Sequence, residues 1–309
     1  MAALALLAVI VLACIMAPIY AHDVADTDPF QSNVGGDVTI NGATVPILQP
    51  DTGGLGLGVT PIGPTWGRKF FLGADMQGRD LVARLLYGGR NSLAIATGAT
   101  MICLVLAGLV GIIAGYFGGI VDAVLARLLD VLWAFPVYLL AISLSIVLIS
   151  KGITIGPITI GSDSLLLPML ILGVVSVPYV ARPIRGQVLS LRQSDFVLAA
   201  IALGLPNRRI LWRDLLPNIS ATLIVFAPLM LALNVMAEAA LSFLSIGVQP
   251  PAASWGTIIQ DGQNLIYTRP VVAIAPGIAI VLTVIALNVF GDGLRDALDP
   301  RAKIRIRAG

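Results

Sequence analysis

The chain has 309 residues, of which 57% are hydrophobic and only 12% are charged, and its mean hydropathy is +0.94. This composition lies outside the range of soluble globular domains and indicates a polytopic membrane protein. The formal net charge of +2 is spread along the whole chain and does not indicate a nucleic-acid surface, so we expect no nucleic-acid partner.

Six stretches are long and apolar enough to cross a bilayer, since a spanning helix needs ~20 mostly apolar residues. They predict an all-α polytopic membrane protein with six transmembrane helices. The predicted spans are 2–20, 92–116, 125–149, 164–181, 219–240 and 271–291.

The first stretch, Met1–Ala21, has a signal peptide as its alternative interpretation. It lacks a positively charged start, its apolar run is long, and its end is a poor cleavage site. We therefore expect a retained helix over 1–20, the first transmembrane segment.

Basic residues set the expected orientation, because Lys and Arg concentrate in the short cytoplasmic segments of membrane proteins. Six of them lie within 182–217 and five follow residue 291. We therefore expect the 182–217 loop, the basic tail 292–309 and both termini in the cytoplasm. The long loop 21–91 is then outside.

The first part of that outside loop, 23–66, is rich in Gly, Pro, Asp and Thr. Within it, DVTINGATV (37–45) surrounds an Asn41-Gly42 pair, which is typical of a short β-hairpin. A disordered loop is the alternative for the rest of this part.

The second part predicts an amphipathic helix over 79–90. RDLVARLL places leucines and a valine on one face and Arg79, Asp80 and Arg84 away from it, as in helices that lie at a membrane interface. Gly88-Gly89 is expected to end this helix before the second span. A simple packing elbow is the alternative.

Two further features are predicted, one within the third span and one between the fifth and sixth spans. Pro136 is expected to kink the third span, because membrane helices tolerate proline. The outside segment 242–270 is expected to contain a short re-entrant or interfacial element near Trp255 and Ile258-Ile259.

The loop 182–217 has helix start and stop signals in order. Ser194 or Asp195 suits the N-cap position of a helix, and Gly204 supplies the residue that ends it. Pro206 suits the first turn of a second helix, which Pro217 ends or kinks. The pattern predicts a short helix–turn–helix that projects into the cytosol.

This loop has the properties of a docking surface. Ala199 and Ala200 give it a slim face that fits a groove, and Arg208, Arg209 and Arg213 can pair with acidic residues of a partner. The alternative is a solvated loop that is basic only for topology. The arginines are Arg182, Arg185, Arg192, Arg208, Arg209 and Arg213.

Polar residues within the spans are functional candidates by default. Glu238 has either a substrate or gating role or a structural hydrogen bond, and we favour the structural role. Asn234 and Asn288 line a pathway or bridge helices. Asp130 is expected to pair with Arg127 three residues earlier.

The spacing in the cytoplasmic loop resembles the motif EAA-x3-G-x9-I-x-LP of ABC-importer permeases. Leu198 stands where that motif has Glu, and Asp214 where it has Ile. The residues in register are Ala199, Ala200, Gly204, Leu216 and Pro217.

Three further segments resemble signatures of the second, C-type permease subunit of dipeptide, oligopeptide and nickel importers. They are FLGADMQGRDLVARLLYGGRNSL (71–93), LSFLSIGVQPPAASWG (241–256) and NVFGDGLRDALDPR (288–301). Residues 23–66 look like an insertion relative to this pattern.

The resemblance implies the type I importer architecture, with a five-helix permease core over 92–291. It implies a bacterial cytoplasmic (inner) membrane location, membrane lipid around the spans, a homologous second permease subunit, two ABC ATPase subunits and an extracytoplasmic substrate-binding protein. The implied cargo is di- or oligopeptides, with nickel, glutathione or haem as alternatives. The coupling residues would be Asp195, Ala199, Ala200, Gly204, Arg208, Arg209, Leu216 and Pro217.

Catalysis on this chain is not expected. No lysine follows a glycine, so the phosphate-binding motif GxxxxGK[ST] is absent from the sequence, and ATP and Mg are expected on partner ATPase subunits. Cys14 and Cys103 lie in apolar spans and are interpreted as small buried hydrophobes. We expect no cofactor or metal on the chain.

A non-transporting scaffold or receptor is the alternative of another class, and a secondary transporter is disfavoured because no half-to-half repeat is visible.

Overall fold

The computed structural model describes residues 1–40, 42–50, 58–155, 158–161 and 163–298. Most of the predicted tail 292–309 therefore lies outside the described residues. The helices are α1 (Ala2–Ile15), α2 (Ala17–Val24), α3 (Leu81–Phe117), α4 (Gly119–Ala134), α5 (Val137–Lys151), α6 (Leu166–Val175), α7 (Val177–Arg192), α8 (Asp195–Ala202), α9 (Asn207–Phe243), α10 (Trp255–Gly262) and α11 (Val271–Leu298).

The six-helix prediction is confirmed, although only half of the spans are unbroken. Three helices, α3, α9 and α11, are long and apolar enough to cross a membrane alone. The pairs α1/α2, α4/α5 and α6/α7 meet the same criterion together, with bends of 50°, 89° and 42°. Counted this way, the described residues contain up to six spans in the predicted order.

Each bend lies beside a proline. Pro18 and Pro178 occupy the first turns of α2 and α7, and Pro136 lies in the break between α4 and α5. Proline cannot donate a backbone hydrogen bond, and its ring clashes with the preceding turn, so it opens the helix there. The predicted kink at Pro136 is thus a near right-angle break.

Three antiparallel hairpins interrupt the helices. They pair β1 (Asp37–Ile40) with β2 (Ala43–Pro46), β3 (Leu48–Pro50) with β4 (Val59–Pro61), and β5 (Ile153–Ile155) with β6 (Ile158–Ile160). The hairpin predicted over 37–45 is confirmed by the pairing of its strands, with Ile40 opposite Ala43. Asn41 of the predicted turn lies outside the described residues.

The described part of the insertion predicted over 23–66 has a small core together with the residues that follow it. Val38, Ile47, Ile62 and Phe70 are buried against one another, with exposed fractions of 6% or less. The backbone N–H of Ile62 donates to the carbonyl of Ile47 at 2.7 Å and continues the pairing of β3 with β4. Burial of apolar side chains accounts for the order of these strands.

The predicted amphipathic helix over 79–90 is wrong in two respects. It is the first part of α3, which continues without a break through Gly88 and Gly89. Those glycines allow close packing, because a Cβ on Gly89 would lie 2.7 Å from Cζ2 of Trp255. The side chain of Arg84 is buried, so the polar face packs inside the protein.

The chain divides into two compact units. The first contains Met1–Ile95, Ser145–Pro168 and Val235–Ala286, and so holds the outside insertion and α10. The second contains Ala96–Leu144, Met169–Asn234 and the described residues from Leu287 onward, and so holds α4, α7 and α8.

The core of the second unit forms where α3 packs against α7. Glycines on α3 remove the side chains that would keep the helices apart. A Cβ on Gly111 would lie 2.6 Å from Cγ2 of Ile184, and one on Gly115 would lie 2.7 Å from Cβ of Val188. This close packing fixes the end of α7, from which the loop that contains α8 departs.

Candidate coupling surface and membrane-embedded polar groups

The helix predicted at the centre of the cytoplasmic loop is α8, and both its ends have the predicted residues. Ser194 is its N-cap residue in extended conformation, with φ −76° and ψ 150°. At the other end Gly204 has φ +71°, which glycine adopts without steric cost. Leu205 N–H donates to the Ala200 carbonyl at 3.1 Å and Gly204 N–H to the Ile201 carbonyl at 2.9 Å, a Schellman motif.

The predicted second short helix is wrong. The helix that begins after Pro206 continues to Phe243 as α9, so it is the start of the fifth span. Pro217 lies inside it and does not end it. A wider π-helical turn over Ile210–Leu215 precedes the proline and accommodates its ring, while Asn218 Nδ2 donates to the Asp214 carbonyl at 2.6 Å.

The basic residues of 182–217 fall into two groups that the sequence does not distinguish. Arg182, Arg185 and Arg192 lie on α7, because that helix extends eleven residues beyond the predicted end of the fourth span. The other group is exposed and has no ion pair among the described residues. It consists of Arg208, Arg209 and Arg213.

The prediction that Ala199 and Ala200 together form an exposed slim face is half correct. Ala199 is exposed on α8, but Ala200 is only 7% exposed and packs in the protein's own core beside Val197 and Ile210. Consecutive residues of a helix point about 100° apart, so the two alanines cannot share one face.

The exposed surface of α8 and its flanks is instead strongly apolar. Asp195 is exposed in the first turn of α8, Leu216 is half-buried and Pro217 is exposed. Sequence reasoning missed this surface, although a helix that is apolar all round inside a basic loop is a usable signal. The exposed large side chains are Phe196 (44%), Leu198 (51%), Ile201 (46%), Leu203 (78%) and Trp212 (53%).

One hydrogen bond ties this loop to the end of α3. The Tyr116 hydroxyl donates to Oδ1 of Asn207, the first residue of α9, at 2.8 Å. The Gly204 turn holds the end of α8, and the bond from Tyr116 holds the start of α9. Together they fix the position of α8 relative to α3.

The three polar span residues differ in environment. Glu238 is fully buried and accepts a hydrogen bond from Ser242 Oγ at 2.6 Å, which favours the structural interpretation. Asn234 bridges helices, since its Nδ2 donates to Thr100 Oγ1 on α3 at 3.0 Å. Asn288 is exposed on α11.

Two ion pairs join α4 to α7. Arg185 forms a two-pronged pair with Asp122, in which Nη2 lies 2.6 Å from Oδ2. Asp130 lies 3.7 Å from Arg127, as predicted, but its closer partner is Arg182, with Nη2 at 2.7 Å. The sequence could not reveal Arg182 as the partner, because it is 52 residues away.

A third charged cluster lies in the first unit, where two buried arginines contact the buried Asp75 and the half-buried Asp261. Nε of Arg79 lies 2.7 Å from Oδ2 of Asp75, and Nε of Arg84 lies 3.2 Å from the same oxygen. Both arginines also contact Oδ2 of Asp261 at 3.1 Å. Burial raises the pKa of the Asp261 carboxyl above its ordinary value, although Arg84 and Arg79 oppose that shift.

The carboxylate of Asp80 holds the start of α3. Its Oδ1 accepts from the backbone N–H of Ala83 at 2.9 Å, which is an N-cap bond, and its Oδ2 accepts from Phe70 N–H at 2.6 Å. Burial raises the pKa of Asp80, and these backbone donors partly offset that rise.

These features define a multi-pass membrane component with an exposed apolar helix on a basic loop. The family profile of the binding-protein-dependent transport system inner membrane component matches residues 107–304. The chain belongs to this family, the permease subunits of ABC importers.

The curated proteins most relevant to this comparison are also named as transport system permeases. The chain is 38% identical over 235 residues to the dipeptide transport system permease protein DppC of Alkalihalophilus pseudofirmus, covering 76% of this chain and 73% of that protein. It is 36% identical over 233 residues to the glutathione transport system permease protein GsiD of Pectobacterium atrosepticum, covering 75% and 73%. It is 35% identical over 238 residues to the oligopeptide transport system permease protein OppC of Haemophilus influenzae, covering 77% and 72%.

Among solved structures, a chain of the MetNI methionine ABC transporter in inward-facing conformation superposes with a TM-score of 0.56. The match covers 70% of this chain and 96% of that chain at 19% identity, and so shows a shared fold.

Proposed function

We propose that this chain is the permease subunit through which partner ATPases drive the import of short peptides across a bacterial cytoplasmic membrane. The observation that carries the proposal is the exposed apolar surface of α8, held between Ser194 and the Gly204 turn. Large apolar side chains on a solvated loop cost free energy unless a partner covers them.

The docking surface combines two kinds of contact. Leu198, Ile201 and Leu203 would enter an apolar groove on the ATPase subunit, and Arg208 and Arg209 would pair with acidic residues at its rim. Apolar burial at the centre of an interface dominates affinity, whereas exposed charges at its edge mainly steer association. Substitutions in the apolar group should therefore weaken ATPase docking more than substitutions of Arg208 and Arg209.

The peptide cargo rests on the relatives, whose names assign them to dipeptide, glutathione and oligopeptide transport. Such an importer would also need a second permease subunit and an extracytoplasmic binding protein. We assign to the outside insertion a role in docking that binding protein, because its described hairpins form a packed body on a loop far longer than a connection requires.

The proposed orientation places both termini and α8 in the cytoplasm. It is testable with an impermeant thiol reagent, because the native Cys14 and Cys103 are buried. Ser32→Cys should label in intact cells, whereas Gln193→Cys should label only after the membrane is opened. The reverse pattern would contradict the orientation and the ATPase docking with it.

Uptake by the reconstituted complex tests the function. Proteoliposomes with both permeases, the ATPases and the binding protein should accumulate a labelled dipeptide or tripeptide when ATP is supplied. Leu203→Asp should abolish uptake, because it places a charge in the apolar contact. The exposed neighbour Gln193→Asp is the matched control and should retain uptake. Uptake that is unchanged in Leu203→Asp would contradict the docking surface, and wild-type failure with all peptides would contradict the cargo.

A further inference from the structure

Burial of apolar side chains holds α4 only weakly in the second unit. Of its 16 residues only Leu129 is buried, whereas Ile120 is 84% exposed and Val131 is 59% exposed. The helix begins after the single residue Gly118 and ends at the 89° break beside Pro136. The position of α4 therefore depends on contacts other than apolar burial.

Charged and aromatic side chains tie α4 to α7. Arg185 meets Asp122 in a two-pronged ion pair, in which Nη2 lies 2.6 Å from Oδ2. Arg182 meets Asp130, with Nη2 2.7 Å from Oδ1, and its guanidinium carbon lies 4.1 Å from the ring centroid of Trp133. Because Trp133 is 11 residues beyond Asp122, these contacts extend over about 16 Å of the helix.

Helix α7 is in turn joined closely to α8. Only Gln193 and Ser194 separate the two helices, and the Ser194 N–H donates to the Leu191 carbonyl at 3.0 Å. Val188 of α7 and Val197 of α8 are fully buried in the same hydrophobic core. Close-packed side chains transmit a displacement, so α7 and α8 are expected to move together.

The predicted spans place the contacts between α4 and α7 on the cytoplasmic side. Asp130 lies at the inner end of the span 125–149, and Asp122 precedes that span. Arg182 and Arg185 belong to the loop 182–217. This is the side on which α8 is proposed to meet the ATPase subunits.

We propose that α4, α7 and α8 move as one rigid body. Asp122, Asp130, Arg182 and Arg185 carry the displacement of α8 by the ATPases to α4 and so are coupling residues. The motion then reaches the break beside Pro136, where no continuous ladder of backbone hydrogen bonds resists bending. This inference rests on the proposed docking of the ATPases on α8.

Exchange of the charges across the pair Asp122–Arg185 tests the inference. Uptake of a labelled tripeptide and hydrolysis of ATP are measured on the same proteoliposomes. Asp122→Arg places two arginines opposite each other and should lower the number of peptides imported per ATP at least about fivefold, the lower end of the usual range for coupling between sites. Adding Arg185→Asp restores an ion pair of reversed polarity and should recover most of the wild-type ratio.

Two further variants separate coupling from folding. Asp122→Asn removes the charge without repulsion and should lower the same ratio by a smaller factor. Asp296→Arg is the matched control, because it makes the same charge reversal at an exposed position of α11, and it should leave the ratio unchanged.

The ratio of uptake to hydrolysis decides the outcome. A pair that only stabilises the fold would lower thermal stability, uptake and hydrolysis together and leave the ratio unchanged. That result, or a doubly substituted complex with wild-type thermal stability that stays uncoupled, would overturn the inference and leave peptide import intact. Failure of the wild-type complex to import the peptide would overturn the proposed function and the inference with it.

Discussion

Arginines occupy opposite environments in two regions of this protein. Arg79 and Arg84 are almost fully buried and share two aspartates, whereas Arg208 and Arg209 are exposed and have no ion pair among the described residues. The desolvation of a buried charge must be offset within the protein, so the first region is a structural device. The second leaves its charge available to a partner.

The difference shows that basic residues in a membrane protein do not all report on topology. The buried group lies in the loop and helix that the positive-inside rule assigns to the outside, and its charge is neutralised locally. Only the exposed group is free to interact with lipid headgroups or with an acidic surface.

The largest loss of stability is expected from a substitution that breaks the buried cluster of Arg79, Arg84, Asp75 and Asp261. Arg84→Ala leaves Asp75 and Asp261 without half of their compensation, and removing one partner of a buried ion pair costs about 3–5 kcal/mol. We expect loss of folded protein, measured as yield and thermal unfolding in detergent. The exposed Arg209→Ala is the control and should change stability by less than about 0.5 kcal/mol. Similar stability of the two variants would remove the distinction.

A smaller loss of stability is expected at Asp80, because its carboxylate is held by backbone N–H donors and not by an arginine. Asp80→Ala removes an N-cap and leaves the buried N–H of Phe70 unpaired, for a loss of roughly 2 kcal/mol. Asp80→Asn keeps an acceptor for Ala83 and should lose less. Thermal unfolding of the two variants side by side tests this, and an equal loss would show that the cap bond contributes nothing.

The smallest effect is expected at an exposed pair. Lys69 Nζ lies 2.7 Å from Oδ2 of Asp26, and this hydrogen bond and charge lower the pKa of Asp26. The folded-state pKa is depressed, so the stabilisation is complete above the unfolded-state pKa and is lost as the pH falls through the folded one. Because solvent screens the pair, Asp26→Asn should unfold only slightly earlier than wild type at pH 7. A difference that persists in acid would contradict this account.

Local signals in the sequence were sufficient for much of the fold. Six apolar runs, the hairpin turn and the Ser194–Gly204 helix were predicted, because span length, turn residues and caps depend on neighbours in the chain. The continuation of α3 through Gly88-Gly89 was not, since only contact with Trp255 explains it. A glycine pair looks the same in sequence whether it ends a helix or lets another pack against it.

The candidate site shows the same limit. The position of α8 was predictable, but which of its residues face outward was not, because that depends on where Val197 and Ala200 meet the core formed by α3, α7 and α9. The pairing of Asp130 with Arg182 likewise depends on the approach of α4 to α7. Contacts between residues distant in sequence decide both.

The central claim is that an ATPase covers the exposed face of α8, and neighbouring cysteines test it most directly. Ala199→Cys lies on that face, whereas Ala200→Cys would lie in the core of the permease. In the assembled complex, a short reagent with one thiol-reactive end and one photoactivated end should link Ala199→Cys to an ATPase subunit and leave Ala200→Cys unlinked. Absence of a link from Ala199→Cys, with the ATPase still bound in normal amount, would contradict the account.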